Sequence, residues 1–310
     1  MSQKCAKIQP MSIQSKNRQH IIIRGDEETS GSFSPLGFIR DQTAQLLHLW
    51  QFRELIYNLV VRELKVRYKD SALGILWSLM NPLMMMMVFT IVFTVMTPVA
   101  AVPKFPVFLL CGLLPWNFFT ASIMGSTYSI VSNAGLLKKV YFPRQVLPIA
   151  MILANLVHFC IALSVLFVMI FIFRIHLTIW LIYLPVIVLI QVIFTMGMGL
   201  FLATANVFYR DTQQIMDVLL LAWFFFTPIF YPLDIIPKSY IIFGINLDVW
   251  RLVYILNPMA SLTANYRVIL YYGSPPALDF LARTAATSVI VFIIGWLVFN
   301  RYSWQFAEEL

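Results

Sequence analysis

Charge is what this sequence has least of. Of its 310 residues, only 12% are charged and 60% are hydrophobic, and the mean hydropathy is +0.80. A soluble domain carries about 25% charged residues. Most of this chain therefore cannot form a water-facing surface, and an integral membrane protein is the class that remains. Cysteine is scarce too. Cys5, Cys111 and Cys160 are scattered, two of them in apolar runs, so they read as small apolar filler and not as a disulfide framework or zinc ligands. No G-x-x-x-x-G-K-[ST] run is present, so the chain does not cradle ATP phosphates in the P-loop manner. H-E-x-x-H, G-x-S-x-G and clustered acids are missing as well, so no catalytic residue, bound cofactor or metal is expected. The first forty residues are polar and lack a signal peptide's apolar core. Inside the apolar runs, ionisable groups are few. His158 reads as a hydrogen-bonded packing residue, and Asp217 as an inner-interface residue. An ion-coupled secondary carrier, the alternative of another class, usually needs more intramembrane charge than that.

What is present falls into three stretches. Residues 1–45 read as a polar cytoplasmic tail, with a short β-like "HIIIR" and a turn-rich "SGSFSPLG". Residues 46–70 read as an amphipathic interface helix. Gln51, Glu54, Asn58, Arg62, Lys65 and Lys69 recur every three or four positions, opposite Phe52, Leu55, Ile56, Leu59, Val60 and Leu64. Such a helix suits the headgroup plane of an anionic inner leaflet, as does the net charge of +8. No nucleic-acid motif accompanies that charge. Residues 71–310 then hold six apolar runs long enough to span, at about 74–97, 106–130, 147–173, 178–208, 214–231 and 284–300. The fold class is all-α integral membrane protein.

With the N-terminus inside, the inner segments hold Arg53, Arg62, Lys65, Arg67, Lys69, Lys138, Lys139, Arg144, Arg210 and Arg301. The outer segments hold Lys104, Arg174, Lys238, Arg251, Arg267 and Arg283. The positive-inside rule favours this orientation, with both termini cytoplasmic. The outer region 232–280 is too polar for one clean span and too apolar for a solvated loop. It reads as re-entrant or surface helices broken near Asn257-Pro258.

The inner loop "SNAGLLKKVYFPRQV" combines two lysines, Tyr141, Phe142, a rigid Pro143 and Arg144. Aromatics and arginine anchor protein interfaces, so the loop is a candidate connection to an external energy source; a plain positive-inside loop is the alternative. Trp116, Asn117, Phe118 and Phe119 follow Pro115, and Trp223, Phe224, Phe225 and Phe226 precede Thr227-Pro228. These aromatics suit a path for sugar rings, or else an aromatic belt and lipid-facing packing. Asn81-Pro82 is expected to bend the first span early.

Five stretches together resemble the permease subunits of type-2 ABC exporters for polysaccharides, the family that exports O-antigen, capsule and teichoic acid. They are "YNLVVRELKVRYKDSALGILWSLMNPLMMMMVFTIVF", "LLKKVYFPRQVLPI", "NVFYRDTQQIMDVLL", "TPIFYPLDIIP" and "YILNPMA". The resemblance runs from about Trp50 to the C-terminus. It implies half of a homodimeric channel in a bacterial inner membrane. It also implies two copies of a separate nucleotide-binding ATPase subunit that handles ATP and Mg, and a lipid-linked glycan as substrate. The 133–146 segment matches the family's coupling helix, with Leu137, Lys138, Lys139, Tyr141, Phe142, Pro143 and Arg144 facing the ATPase. Arg62, Lys65, Arg67 and Lys69 would meet the linker phosphate or the headgroups of membrane lipids. Trp116, Phe118, Phe119, Trp223, Phe224, Phe225 and Phe226 would line the channel. Export of a small lipid or drug is the competing reading within the same class.

Overall fold

The computed structural model describes residues 49–69, 76–96, 102–232, 240–242, 245–247 and 257–310. Every element below belongs to one compact unit, His48–Leu310. The polar tail 1–45, residues 70–75 and most of the outer stretch 233–256, with Lys238, Asp248 and Arg251, lie outside the described residues.

The apolar runs become helices. In chain order they are α1 (Arg53–Tyr68), α2 (Leu76–Ile91, continued by a π-helical turn Val92–Met96), α3 (Phe105–Ser132), the short α4 (Ala134–Leu137), α5 (Val146–Ile172), α6 (Leu184–Phe208, after a 3-10 turn Ile179–Tyr183), α7 (Thr212–Phe226), α8 (Pro258–Leu270) and α9 (Leu278–Tyr302). Four of these segments are long and apolar enough to cross a membrane: Phe105–Ser132, Val146–Ile172, Ile179–Phe208 and Leu278–Glu309. The other two expected runs, at α2 and α7, form shorter apolar helices.

Local chemistry explains the boundaries. Prolines open α3, α6 and α8 at a position where a missing N–H costs nothing. α7 stops at Phe226, short of the expected 231. Thr227 takes extended angles (φ −95°, ψ 129°), as a residue before proline does. Pro82, in contrast, sits inside α2 without ending it, and the irregular turn comes at the helix's far end. Within the outer region, β1 (Tyr240–Ile242) pairs antiparallel with β2 (Ile245–Leu247). This short hairpin is a local exception within an otherwise helical chain, and the all-α class holds; β-branched Ile241, Ile242 and Ile245 favour extended backbone.

Two clusters of buried side chains hold the helices together. At one end, Leu59 of α1, Ile130 of α3, Val146 and Leu147 of α5, Val207 of α6, and Phe299 of α9 meet Phe142 and Phe306. Arg53, Arg62, Lys138, Lys139, Arg144, Arg210 and Arg301 belong to segments at this end, which is the basic end. The larger cluster fills the rest, with α3 at its centre. At the far end Lys104 donates from Nζ to the carbonyl of Arg174 (3.1 Å), and Thr178 Oγ1 donates to the carbonyl of Gly273 (3.0 Å).

α6 and α9 approach most closely where two glycines face each other. A Cβ on Gly197 would lie 2.5 Å from the Phe292 nitrogen, and one on Gly295 would overlap the Gly197 carbonyl. Small residues let helix backbones touch where water-driven packing is absent. Gly295→Leu is therefore expected to destabilise the protein by at least ~1–3 kcal/mol, the usual cost of overpacking. Gly135→Ala, which meets nothing within 4 Å, serves as the control. Thermal unfolding in detergent measures both; equal melting temperatures would show that the seam tolerates a side chain.

Candidate functional site

α1 carries the four basic residues singled out above. Its inner face holds Leu55, Ile56, Leu59, Val60 and Leu64, while Arg62, Lys65, Arg67 and Lys69 are exposed. The helix does not lie across the foot of the bundle. Leu59 shares the basic-end cluster with Val146, Leu147 and Ala150. Two turns later Arg67 Nη1 donates to Asn155 Oδ1 (3.0 Å), and Tyr68 Oη bonds His158 Nδ1 (2.6 Å). α1 thus runs alongside α5. Its polar partners on α5, invisible in the period of α1 itself, set that direction. At its lower end, Arg62 Nη2 donates to Asn133 Oδ1 (3.0 Å), just past α3.

Two hollows flank α1. An open groove of about 810 Å³ lies between α1 and α5, lined by Asn58, Arg62, Lys65 and Lys69 beside Val157 and Ile161. A second cavity of about 420 Å³ lies among α1, α2, α3 and α5. Its polar lining is Arg67, Tyr68, Asn81, Asn117, Asn155 and His158; Trp77, Phe118 and Phe159 contribute rings. Tyr68 belongs to both hollows. Of the basic four, the structure gathers Arg62, Lys65 and Lys69 at the groove and turns Arg67 to the cavity. Asn117 and Asn155 were missed as site residues in the sequence; a lone amide in an apolar run is the signal that could have found them.

The 133–146 segment divides its residues between two tasks. Phe142 is buried in the basic-end cluster, and Leu137 packs against it. Lys138 and Lys139 are exposed, and Tyr141 is 100% exposed. Pro143 and Arg144 are half-buried. Partial burial lowers the pKa of Arg144, with Tyr141 opposing the shift, but an arginine stays charged at any working pH. Gln145 Nε2 donates to Asn300 Oδ1 (2.6 Å), tying the segment to α9.

The aromatic residues sort less as expected. Trp116, Phe118 and Phe119 are buried inside the chain. Phe119 stacks on Phe194 (5.6 Å between centroids) and meets Trp223 edge-on (5.3 Å). Trp223 and Phe224 are half-buried, and Phe224 packs on Phe230 (4.9 Å). Trp116 and Phe119 are thus core residues, because α3 is enclosed by its neighbours; Phe118 borders the 420 Å³ cavity. Only Phe225 and Phe226, 63% and 74% exposed, present open faces.

A polar network at the far side of the core was not foreseen. Arg267 was expected as an outer-loop cation, yet it is 3% exposed, deep in α8. Its guanidinium donates to the carbonyls of Phe108 (3.4 Å), Pro228 (2.5 Å) and Ile229 (2.5 Å), and lies 3.8 Å from the Phe108 ring centroid. Asn257 caps α8 by accepting from the Ala260 N–H (3.1 Å), and its Oδ1 also accepts from Trp223 Nε1 (2.8 Å). Tyr266 donates to Gln191 Oε1 (2.7 Å), while Gln191 Nε2 donates to the Pro115 carbonyl (2.7 Å).

Comparison with known proteins adds a lineage to this geometry. A family model described as ABC-2 type transporter matches residues 54–271. The chain is 38% identical over 262 residues to the O-antigen export system permease protein RfbA of Myxococcus xanthus, covering 84% of this chain and 97% of that one. It is 33% identical over 258 residues to a protein of the same name in Klebsiella pneumoniae, covering 83% and 95%. It is 28% identical over 193 residues to the polysialic acid transport protein KpsM of Escherichia coli, covering 59% and 71%.

Neighbours with opposite exposure give a direct test. Phe142→Ala is expected to cost ~3–5 kcal/mol, as loss of a buried Phe does, and to lower the melting temperature of the purified protein. Tyr141→Ala should leave it unchanged. Equal shifts in the two variants would contradict the division of labour between them.

Proposed function

Because the chain belongs to the ABC-2 type transporter family, we propose that it is the permease of an ATP-driven exporter moving a lipid-linked polysaccharide out of the cytoplasm. The observation that carries this reading is the reach of the similarity, which spans 97% of the length of a protein named as an O-antigen export permease. In this reading the basic end faces the cytoplasm, following the positive-inside rule. Both termini lie there too, and the membrane is the bacterial inner membrane.

Helix length supports a paired assembly. α7 has 15 residues, or roughly 22 Å at ~1.5 Å per residue, short of a ~30 Å hydrocarbon core. Broken backbone at that depth needs protein or a water-filled path beside it. The exposed faces Met80, Met84, Met87 and Val88 on α2, and Ile215, Val218, Leu219, Phe225 and Phe226 on α7, suit a second copy of the chain. The two copies would complete six spans each and enclose the channel.

Energy enters from outside the chain. Lys138, Lys139 and Tyr141 form the exposed tip on which a separate ATPase subunit docks, one per permease, and that subunit binds ATP and Mg. The groove lined by Arg62, Lys65 and Lys69 takes the phosphate of the lipid linker, with the chain's apolar part against Val157 and Ile161.

A source strain lacking this chain should lose surface polysaccharide and accumulate lipid-linked glycan inside. Wild-type surface polysaccharide in that strain would end the export reading and favour a small lipid or drug as cargo. The docking tip is tested separately. Replacing Lys138, Lys139 and Tyr141 together with alanine should weaken ATPase co-purification by at least about tenfold, the scale of a hot-spot loss, with the permease's melting temperature unchanged. Undiminished co-purification would place the ATPase elsewhere.

A further inference from the structure

The two hollows that meet at Tyr68 differ in kind. The groove sets cations over an apolar wall, which suits a lipid phosphate. The cavity offers amides and rings instead. Asn117 sits near the middle of α3, half-buried, and Asn81 faces the same space from α2. Among the described residues neither amide has a hydrogen-bond partner. Asn155 is different: its oxygen accepts from Arg67, and its nitrogen donates to the carbonyls of Ala121 (3.2 Å) and Met151 (3.0 Å).

An idle amide at membrane depth is costly, and such residues persist where they face a cavity and bind something. The lining limits what that is. Among the described residues it includes no carboxylate to attract a cation, and the one Lys or Arg there, Arg67, is already bonded to Asn155. An acyl chain would leave Asn81 and Asn117 unpaired. A neutral polyhydroxylated ring fits both parts of the wall. Each amide offers donors and an acceptor to neighbouring hydroxyls, and Tyr68, Trp77, Phe118 and Phe159 offer apolar faces to the ring's C–H side. The volume, about 420 Å³, is that of a small-molecule cleft and not of a polymer channel.

We infer that this cavity binds a neutral sugar ring, the carbohydrate unit joined to the lipid linker, while the linker's phosphate occupies the basic groove on the other side of Tyr68. The Tyr68–His158 hydrogen bond closes the wall between them. The inference rests on the export reading and specifies where the glycan's lipid-proximal end is held.

The test uses the whole exporter, permease with its ATPase partner, in nanodiscs. The probes are a polyprenyl pyrophosphate and the same lipid carrying one glucose, galactose, mannose or N-acetylglucosamine unit. Binding is followed by microscale thermophoresis. At least one sugar-bearing lipid should bind the wild type about tenfold more tightly than the bare lipid, the scale of one or two added hydrogen bonds. Asn117→Leu should remove that gain and leave bare-lipid binding unaltered. Asn81→Leu, on the exposed side of α2, should do the same without disturbing the α3 core. Replacing Arg62 and Lys65 together with glutamine should weaken all the lipids by one common factor. If none of the lipids binds the wild type, the export reading falls and the sugar site with it. If all bind equally, or if the gain survives in both leucine variants, the sugar site alone is overturned.

Discussion

Hydrocarbon offers a broken helix no hydrogen bonds, and α7 of this apolar chain breaks at Phe226. The far half of the molecule is organised by that shortage. Proline ends α7 at Phe226, and the carbonyls that follow need donors. α8 supplies them from a segment some thirty to forty residues further along. Asn257 reaches the Phe226 carbonyl (3.4 Å) and the Thr227 hydroxyl (3.0 Å), and Arg267 reaches Pro228 and Ile229. The guanidinium spreads its charge over backbone oxygens and an aromatic face, a wholly protein environment in place of water. What would be a solvated loop in another protein is here a buried plug, because its polar atoms complete another helix.

The remaining architecture separates fixed parts from parts with room beside them. α6 and α9 meet backbone to backbone through Gly197 and Gly295, and α3 is enclosed by its neighbours. α1, α2 and α7 lie around this frame. The exposed methionines and the exposed Phe225 and Phe226 belong to those peripheral helices, and both hollows lie where α1 meets α5, the cavity reaching α2 and α3 as well. The polar hollows therefore lie where a peripheral helix meets the frame.

Much of this was readable beforehand, because length and hydropathy dominate helix placement. α3 and α5 begin and end within two residues of the expected spans. α9 starts earlier than expected, since Asp279 and Arg283 lower the hydropathy of its first turns without preventing helix. The hairpin at 240–247 was hidden because a continuous apolar run has no period to separate strand from helix. Tertiary partners were harder still. Nothing local distinguishes Arg267 from a surface arginine, since its acceptors lie 38 to 159 positions away. The Trp116 and Phe119 rings follow from sequence as aromatics, but which neighbours enclose them does not. The lone amides Asn117 and Asn155 were the clearest unused signal.

At the basic end, two adjacent side chains point in opposite directions. Phe142 is seated where the ends of α3, α5, α6 and α9 converge, and Tyr141 stands clear of everything. A handle fixed to a hub behaves differently from one fixed to a spoke. A force applied at Tyr141 would have no single helix to bend and would be shared among the helix ends gathered around Phe142.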